Sequence, residues 1–491
     1  MTFSSSSMRI LCVETAILGG GITGATLFNV ASRRGKDVVL LEAEDFASGT
    51  SQASGMMVWG GILYLKNFEF KLVQKLCRAR DFLLAYAPEQ IRVRWFQFLP
   101  LTRGGRSRWF VRMGLEVYRA LSGFRRGPVH TAAKTDSPGQ WKPRRFLPGL
   151  CYEEGFLRDS DALFTLNWLR SSGAFDKALN YQQIESIEWK KDQQRFLIQV
   201  LDKCTGERWG VLASKVVNCA GPWADSVNHR WGMSTKHRHH LSKGVYLVLR
   251  SGERDQAFVM DMEHEGDTLC WTPWGPVALW GPTETNATGP EDRHVDPADV
   301  EFLLERLRRN SGRDWSTKDI LNVRVGIRPL AMPAGTEVGY SLELSRQFIF
   351  ERSPSVPWWT TFGGKLSGCV SVALELHREI HNESLTPDQI SPLEHTPRPI
   401  VDHLFGGLVV VDPAWSRDHE SCRTLDDFLR RRTNVAQWVA NSGLGEGDEF
   451  LTDIRSIADV LHKGDQIRVE NDLKNYIQKQ REQKMRWSHV C

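Results

Sequence analysis

Thr15-Ala16-Ile17-Leu18-Gly19-Gly20-Gly21-Ile22-Thr23-Gly24 is the stretch on which the fold turns. The run to Leu18 reads as a buried parallel strand, and Ala25–Ala31 continues as a helix. Gly19, Gly21 and Gly24 have GxGxxG spacing. Glycine there permits a tight turn, lets the backbone approach a pyrophosphate and allows close helix–strand packing. The pyrophosphate is then expected at the positive end of the helix, around Ile22 and Thr23. A second strand, Asp37-Val38-Val39-Leu40-Leu41, ends at Glu42, placed to accept hydrogen bonds from a ribose diol. Strand, helix, strand and acid in this order point to a bound dinucleotide and so to redox chemistry. They do not choose between NAD and FAD, and a glycine-rich turn in an ordinary βαβ unit is the bland alternative.

At 491 residues the chain exceeds one simple core, so two large domains, or one with an appendage, are expected. The 41% hydrophobic and 25% charged composition, with net charge +4, is that of a soluble globular protein and argues against a nucleic-acid binder. Nine cysteines stand singly, without CxxC or metal-ligand spacing, and read as reduced thiols in a reducing, cytoplasmic setting; no metal is expected. No apolar run reaches bilayer-spanning length, and Met1–Ser7 lacks the plan of a signal peptide. The eighteen tryptophans are dispersed and read as core fillers or pocket walls.

Further motifs follow in order. Asp45-Phe46-Ala47-Ser48-Gly49-Thr50-Ser51 precedes Gly60-Gly61-Ile62-Leu63-Tyr64-Leu65, and Lys215–Asn218 leads into Cys219-Ala220-Gly221-Pro222-Trp223-Ala224-Asp225. Lys243–Val248, Gly326-Ile327-Arg328-Pro329-Leu330, Gly363-Gly364-Lys365-Leu366 and Arg423–Thr433 complete the series. Together they resemble the FAD-dependent glycerol-3-phosphate dehydrogenases, within the D-amino-acid-oxidase-like flavoproteins, over about residues 15 to 475. The resemblance implies FAD, held by Gly19, Gly21, Ile22, Thr23, Gly24, Glu42, Ser48, Gly49, Thr50, Ser51, Ala220 and Gly221. It places Gly363, Gly364, Lys365 and Leu366 near the flavin ring, where backbone N–H groups and Lys365 stabilise negative charge on the reduced cofactor.

A flavin dehydrogenase for an alcohol must place the reacting carbon at the flavin, supply a base and hold the substrate's anionic end. The resemblance makes Arg328 the anion clamp, a role suited to its planar fork, with a structural ion pair as the alternative. Tyr64, Lys365 and Tyr246 are the other candidates. The family typically reads Ser-Lys-Leu-Ile-His-Gly-Gly-Leu-Arg-Tyr where this chain has Gly55–Tyr64, so a lysine has become Met56, a histidine Trp59 and an arginine Leu63. A further family histidine is Tyr246. Losing the cation at Leu63 alone would weaken phosphate binding roughly ten- to a hundredfold. Compensation from Arg324, Lys243 or another basic residue that sequence alone does not place is one expectation; a less charged alcohol or a hydroxy acid as substrate is the other. His237-Arg238-His239-His240 offers a replacement base, a metal site, or simply a solvated basic loop.

From Arg92 to Arg126 nine arginines alternate with aromatic residues, and Glu116 is the sole acid, the pattern of an interfacial segment. The resemblance implies membrane docking here and electron transfer to a quinone; a basic face on a packed helix is the alternative. No nucleic-acid module accompanies the patch.

The expected fold class is α/β (α+β): a Rossmann-like FAD domain with an inserted mixed-sheet substrate domain and a helical C-terminal domain. The expected segments are 1–90, 151–225 and 351–395 for FAD, 91–150 for the basic, aromatic stretch, 226–350 for substrate and 396–491 for the helical tail. The expected activity is hydride removal from a small polyol phosphate or hydroxy acid, with electrons passed to a quinone at the cytoplasmic membrane face. An oxidase of a hydroxy acid or amine, and a flavin protein with a decayed site, stay open. So does a homodimer.

Overall fold

Three runs rich in apolar residues become the centre of a parallel sheet, as sheets covered on both faces require. In the computed structural model, which describes residues 9–132, 146–251, 256–261, 268–336, 347–393 and 397–490, Ile10–Leu18 lies between Val38–Leu41 and Arg208–Asn218. The register pairs Leu18 with Leu41 on one side and with Asn218 on the other. Trp358–Gly363 extends the parallel layer from Arg208–Asn218, and Phe348–Arg352 pairs antiparallel with it. The helices Ile22–Arg33 and Cys369–His381 pack together. Val13, Ala16, Val39, Val211, Val216 and Trp358 contribute to the buried core of this layer.

The described residues fall into two compact units. The first lies within Met1–Gln52, Ala162–Ser242 and Arg328–Glu394, the second within Ala53–Asp161, Lys243–Ile327 and His395–Cys491. These cuts differ from the expected segments. Residues 53–90 and 151–161 belong to the second unit, because Met57–Val58 and Ile91–Leu99 both pair with Leu150–Leu157. The second unit is built on a mixed sheet with Val277–Gly281, Thr268–Trp274 and Ala257–Asp261 in sequence beside those strands. Its core joins Leu247, Phe258, Trp271 and Trp280 to Val300, Leu303, Leu304 and Leu307 of the helix Pro297–Asn310. Trp280 donates its indole N–H to Leu303 O at 2.9 Å, so this indole is buried without an orphan donor.

The tail from Pro397 onward is mainly helical, with one short two-stranded sheet, and has its own core. Ile454, Ile457, Ala458 and Leu461 recur at helical spacing and cluster with Val469, Leu473 and Tyr476 of Gln466–Met485. Asp427–Arg432 is a π-helix, in which Arg431 pairs with Asp426 and Asp427 at 2.7 Å.

The basic, aromatic stretch divides. Ile91–Leu99 is a sheet strand that buries Phe96 and Phe98, and its Arg94 donates to the Pro273 carbonyl. Arg108–Leu121 is a helix that buries Val111, Leu115 and Tyr118 while exposing Trp109, Phe110, Met113 and Val117. Phe124, Arg112 and Arg125 are exposed with them. Among the described residues no helix is long and apolar enough to cross a membrane.

Candidate dinucleotide and substrate-binding residues

The first turn of the sheet is closed by contacts that only glycine allows. A Cβ on Gly24 would meet Gly19 O at 2.0 Å, and one on Gly19 would meet Cys219 O at 2.6 Å. Gly19 has φ +108°, a further reason for glycine. The first intrahelical bond runs from Ala25 N–H to Gly21 O, so Ile22, Thr23 and Gly24 are first-turn donors without an acceptor inside the helix. Ser51 Oγ takes the Ile22 N–H at 2.9 Å, leaving the Thr23 and Gly24 N–H groups for an anion. The cradle therefore fits a pyrophosphate.

Glu42 has a second task that the motif does not reveal. Its carboxylate accepts the Gly20 N–H at 2.6 Å and the Glu44 N–H at 2.8 Å, bracing the glycine turn. Burial pushes its pKa up, and the two N–H groups offset that only in part. Each carboxylate oxygen has a second lone pair, so the capacity to accept from a ribose remains. Ala47 N–H closes the same loop on Gly20 O at 3.0 Å. Ser48 O accepts from the Gln52 side chain, Thr50–Gln52 forms a 3-10 turn, and Gly49 lies against the Trp223 ring. Ala220 donates to Asn218 Oδ1 at 3.2 Å, and Gly221 has φ +55°.

Gly363 and Gly364 both have left-handed backbones, and a Cβ on Gly363 would meet Gln347 O at 2.5 Å. The Gly363 N–H is engaged: it donates to His239 Nε2 at 3.3 Å. That N–H is therefore already occupied, whereas the expectation from sequence has the backbone N–H groups of this turn serving a flavin. Burial pushes the Lys365 amine down to about 7. Leu366 opens the short turn that leads into Cys369–His381.

Arg328, on the strand Ile320–Pro333, donates from Nη1 to Ser242 Oγ at 3.4 Å, a long bond. Arg328, Lys365 and the glycine cradle belong to the first unit, Tyr64 and Tyr246 to the second. Tyr64 sits in the turn Ile62–Asn67, its ring 6.3 Å from that of Trp59. Tyr246 directs its hydroxyl at Gly55, where a Cβ would lie 2.4 Å from Oη.

Neither cation named as a replacement at the substrate site has charge to spare. Arg324 is buried and donates to Asp161 Oδ2 at 2.7 Å, Ser54 O at 2.9 Å and Gln437 Oε1 at 3.2 Å. Asp161 also accepts the Ser54 N–H at 2.7 Å. Met56, fully buried, places its sulfur 4.0 Å from the same guanidinium. Lys243 pairs with Asp292 at 3.0 Å and with Asp296; these outweigh the burial that opposes its charge and hold its pKa above the ordinary lysine value. Compensation by Arg324 or Lys243 is therefore corrected: both are neutralised locally.

The histidine run is not a solvated loop but the start of the strand His237–Arg250. Strand alternation sends His237 to Glu351 and His239 to Asp225. Among the described residues no group of histidine, cysteine and carboxylate side chains is placed to hold a metal. Asp161, Asp292 and Asp296 escaped the sequence reading because they carry no local motif; Asp225 stood inside a quoted one but was given no role.

The family model for FAD-dependent oxidoreductases matches residues 14–365. D-erythritol 1-phosphate dehydrogenase of Brucella abortus is 30% identical over 359 residues, 72% of this chain and 70% of that protein. Aerobic glycerol-3-phosphate dehydrogenase of Staphylococcus aureus is 30% identical over 379 residues, 74% of this chain and 66% of the relative. In fold, the glycerol-3-phosphate dehydrogenase from Bacillus halodurans complexed with FAD superimposes with TM-score 0.72 at 19% identity, covering 99% of this chain and 96% of that one. L-α-glycerophosphate oxidase from Mycoplasma pneumoniae, with FAD bound, gives 0.60 at 16% identity over 79% of this chain and 99% of that one.

Proposed function

We propose, from the premise that this chain belongs to the FAD-dependent oxidoreductase family, that it is a dehydrogenase of a small polyol phosphate. FAD is its cofactor, and the glycine cradle with its Thr23 and Gly24 donors is the observation that carries the reading. When bound, the flavin supplies a hydride acceptor for the carbinol carbon of the substrate. The chain's own residues bind and orient. We assign the pyrophosphate to Thr23 and Gly24, the ribose to Glu42, and the closing contacts to Ser48–Ser51 and Ala220–Gly221. We assign the substrate phosphate to Arg328, whose fork matches two phosphate oxygens. Tyr64 and Tyr246 are assigned as hydroxyl partners of the polyol, and Lys365 as the amine beside the flavin. A polyol phosphate is favoured over an uncharged alcohol by relatives named for glycerol 3-phosphate and D-erythritol 1-phosphate.

Anaerobic mixing with sn-glycerol 3-phosphate, D-erythritol phosphate, glycerol, lactate and 2-hydroxyglutarate tests the substrate class. Bleaching of the flavin by a phosphorylated polyol alone is expected. Bleaching by lactate or 2-hydroxyglutarate but not by the phosphates contradicts it, and stoichiometric hydrogen peroxide in air would identify an oxidase instead.

The acceptor we propose is a quinone, reached from the cytoplasmic membrane face. The exposed ridge Trp109, Phe110, Met113, Val117 and Phe124 beside Arg112 and Arg125 has the composition of an interfacial contact. Co-sedimentation with anionic vesicles is expected for the native chain and lost in Trp109→Glu/Phe110→Glu. Unchanged sedimentation of that variant would remove the ridge from the account.

A further inference from the structure

His239 is a buried histidine for which the proposed reaction has no role, and its two ring nitrogens face Gly363, in a flavin-assigned turn, and Asp225. Nε2 accepts the Gly363 N–H at 3.3 Å. An acceptor nitrogen carries no proton, so the neutral ring holds its proton on Nδ1. Nδ1 lies 3.4 Å from Asp225 Oδ1, at the outer limit of a hydrogen bond. The firmer hold is on the backbone, where Asp225 Oδ2 accepts the His239 N–H at 2.7 Å. Burial would raise the Asp225 pKa, but the His239 ring and N–H, with Arg238, outweigh it and keep the carboxyl below its ordinary range. The Phe362 ring, 5.1 Å away, closes another side of the imidazole.

We propose that His239, oriented by Asp225, is a positioning residue that fixes the turn Gly363-Gly364-Lys365 against the flavin. The inference rests on the assignment of that turn to the flavin made above. Both glycines of the turn have left-handed backbones with no side chain to anchor them, so the His239 bond supplies an anchor at the first one. A turn held in this way keeps the Gly364 N–H and the Lys365 amine aimed where negative charge develops, without reorganisation during reduction. Asp225 stands four residues after the flavin-assigned Gly221, in the helix Ala224–Arg230, so His239 also links the turn to that helix. His239 does not touch the reacting atoms.

The test uses the full-length, FAD-loaded protein equilibrated with a reference dye, reading the ratio of reduced to oxidised flavin. His239→Ala should lower that ratio about three- to tenfold, the worth of one modest hydrogen bond. His239→Gln, whose amide oxygen can accept the Gly363 N–H, should return it to within about twofold of the native value. Lys365→Met is the reference that reports whether the turn faces the flavin. If Lys365→Met moves the ratio and His239→Ala does not, the role of His239 is overturned while the flavin assignment survives. If neither moves it, the assignment of the turn to the flavin fails as well. Reduced FAD content in His239→Ala, with an unchanged ratio in the flavin retained, would make His239 merely structural and overturn the proposal.

Discussion

The glycine cradle and the segment Ser54–Tyr64 are built on opposite principles, although only Ala53 separates Ser54 from the first unit. The cradle is backbone: three glycines whose Cβ positions are blocked or bare, first-turn N–H groups, and one carboxylate bracing the turn. The Ser54–Tyr64 segment is pinned by side-chain charge, with Ser54 and Met56 held against Arg324 and Asp161. A site made of backbone leaves its mark in local spacing. A site made of ion pairs does not, because its partners come from distant positions: Arg324 and Asp161 are 163 residues apart. The lesson for the substrate site is direct. Counting cations in the sequence overstates the charge available to a ligand, since Arg324 and Lys243 are already neutralised.

The contrast breaks most sharply at Gly24. Gly24→Ala drives a methyl to 2.0 Å from Gly19 O, so the purified variant should contain no FAD, read as loss of the absorbance near 450 nm. Gly289→Ala, with no atom within 4 Å of the added carbon, should retain full flavin. Flavin in the Gly24 variant would mean that the turn is not the cofactor cradle.

The second prediction addresses the charge-built segment. Arg324→Met removes the ion pair of buried Asp161, leaving it only the more distant charge of Arg430, and should cost up to about 3–5 kcal/mol in denaturant unfolding. Arg324→Met/Asp161→Leu should recover most of that loss, because a buried pair replaced by apolar groups is often neutral. Equal destabilisation by the single and double variants would show that Arg324 works by packing alone.

Restoring the family's lost cations should give opposite results at two nearby positions. Leu63 is half-buried, and Leu63→Arg should lower KM for a polyol phosphate about tenfold with little change in kcat. Met56→Lys puts a second cation beside buried Arg324 and should destabilise the chain without improving KM. A gain from both would contradict the local neutralisation described here.

A pH effect is expected in the first unit, away from the cradle. Burial pushes His381 down to about 4, with His377 and Lys215 adding to the shift and Glu14 opposing it. The unfolded chain, with an ordinary histidine pKa near 6.5, then binds more protons between about pH 4 and 6.5. Stability should therefore fall as pH drops through that window, and His381→Gln should flatten part of the slope. An unchanged slope would assign the acid sensitivity to other groups.

How much was legible in advance follows the same division. Gly19, Gly21, Gly24 and the strands around them were readable because the requirement is local and steric. That Glu42 braces Gly20 was not, since the motif names the acid for a ligand and not for the turn it stands beside. Of the readings open for the histidine run, the solvated loop does not hold: the run starts a strand in which His237 pairs with Glu351 and His239 faces Asp225, partners that lie outside the run. The arginine-rich stretch was half legible: composition marked it, but only strand pairing shows that Phe96 and Phe98 are core while Trp109 and Phe110 are surface. The domain cuts were hidden for a related reason, since Leu150–Leu157 recruits strands from before residue 100.

The most direct test of the account is rapid anaerobic mixing of the native protein with sn-glycerol 3-phosphate and, separately, with glycerol, repeated with Arg328→Ala. The second-order rate of flavin reduction should favour the phosphorylated substrate strongly in the native chain. In Arg328→Ala that preference should shrink by about ten- to a hundredfold, as loss of a charge-assisted phosphate contact requires. Equal reduction of the native flavin by both compounds, or an undiminished preference in the variant, would contradict the assignment of Arg328 to the phosphate and of this chain to polyol phosphates.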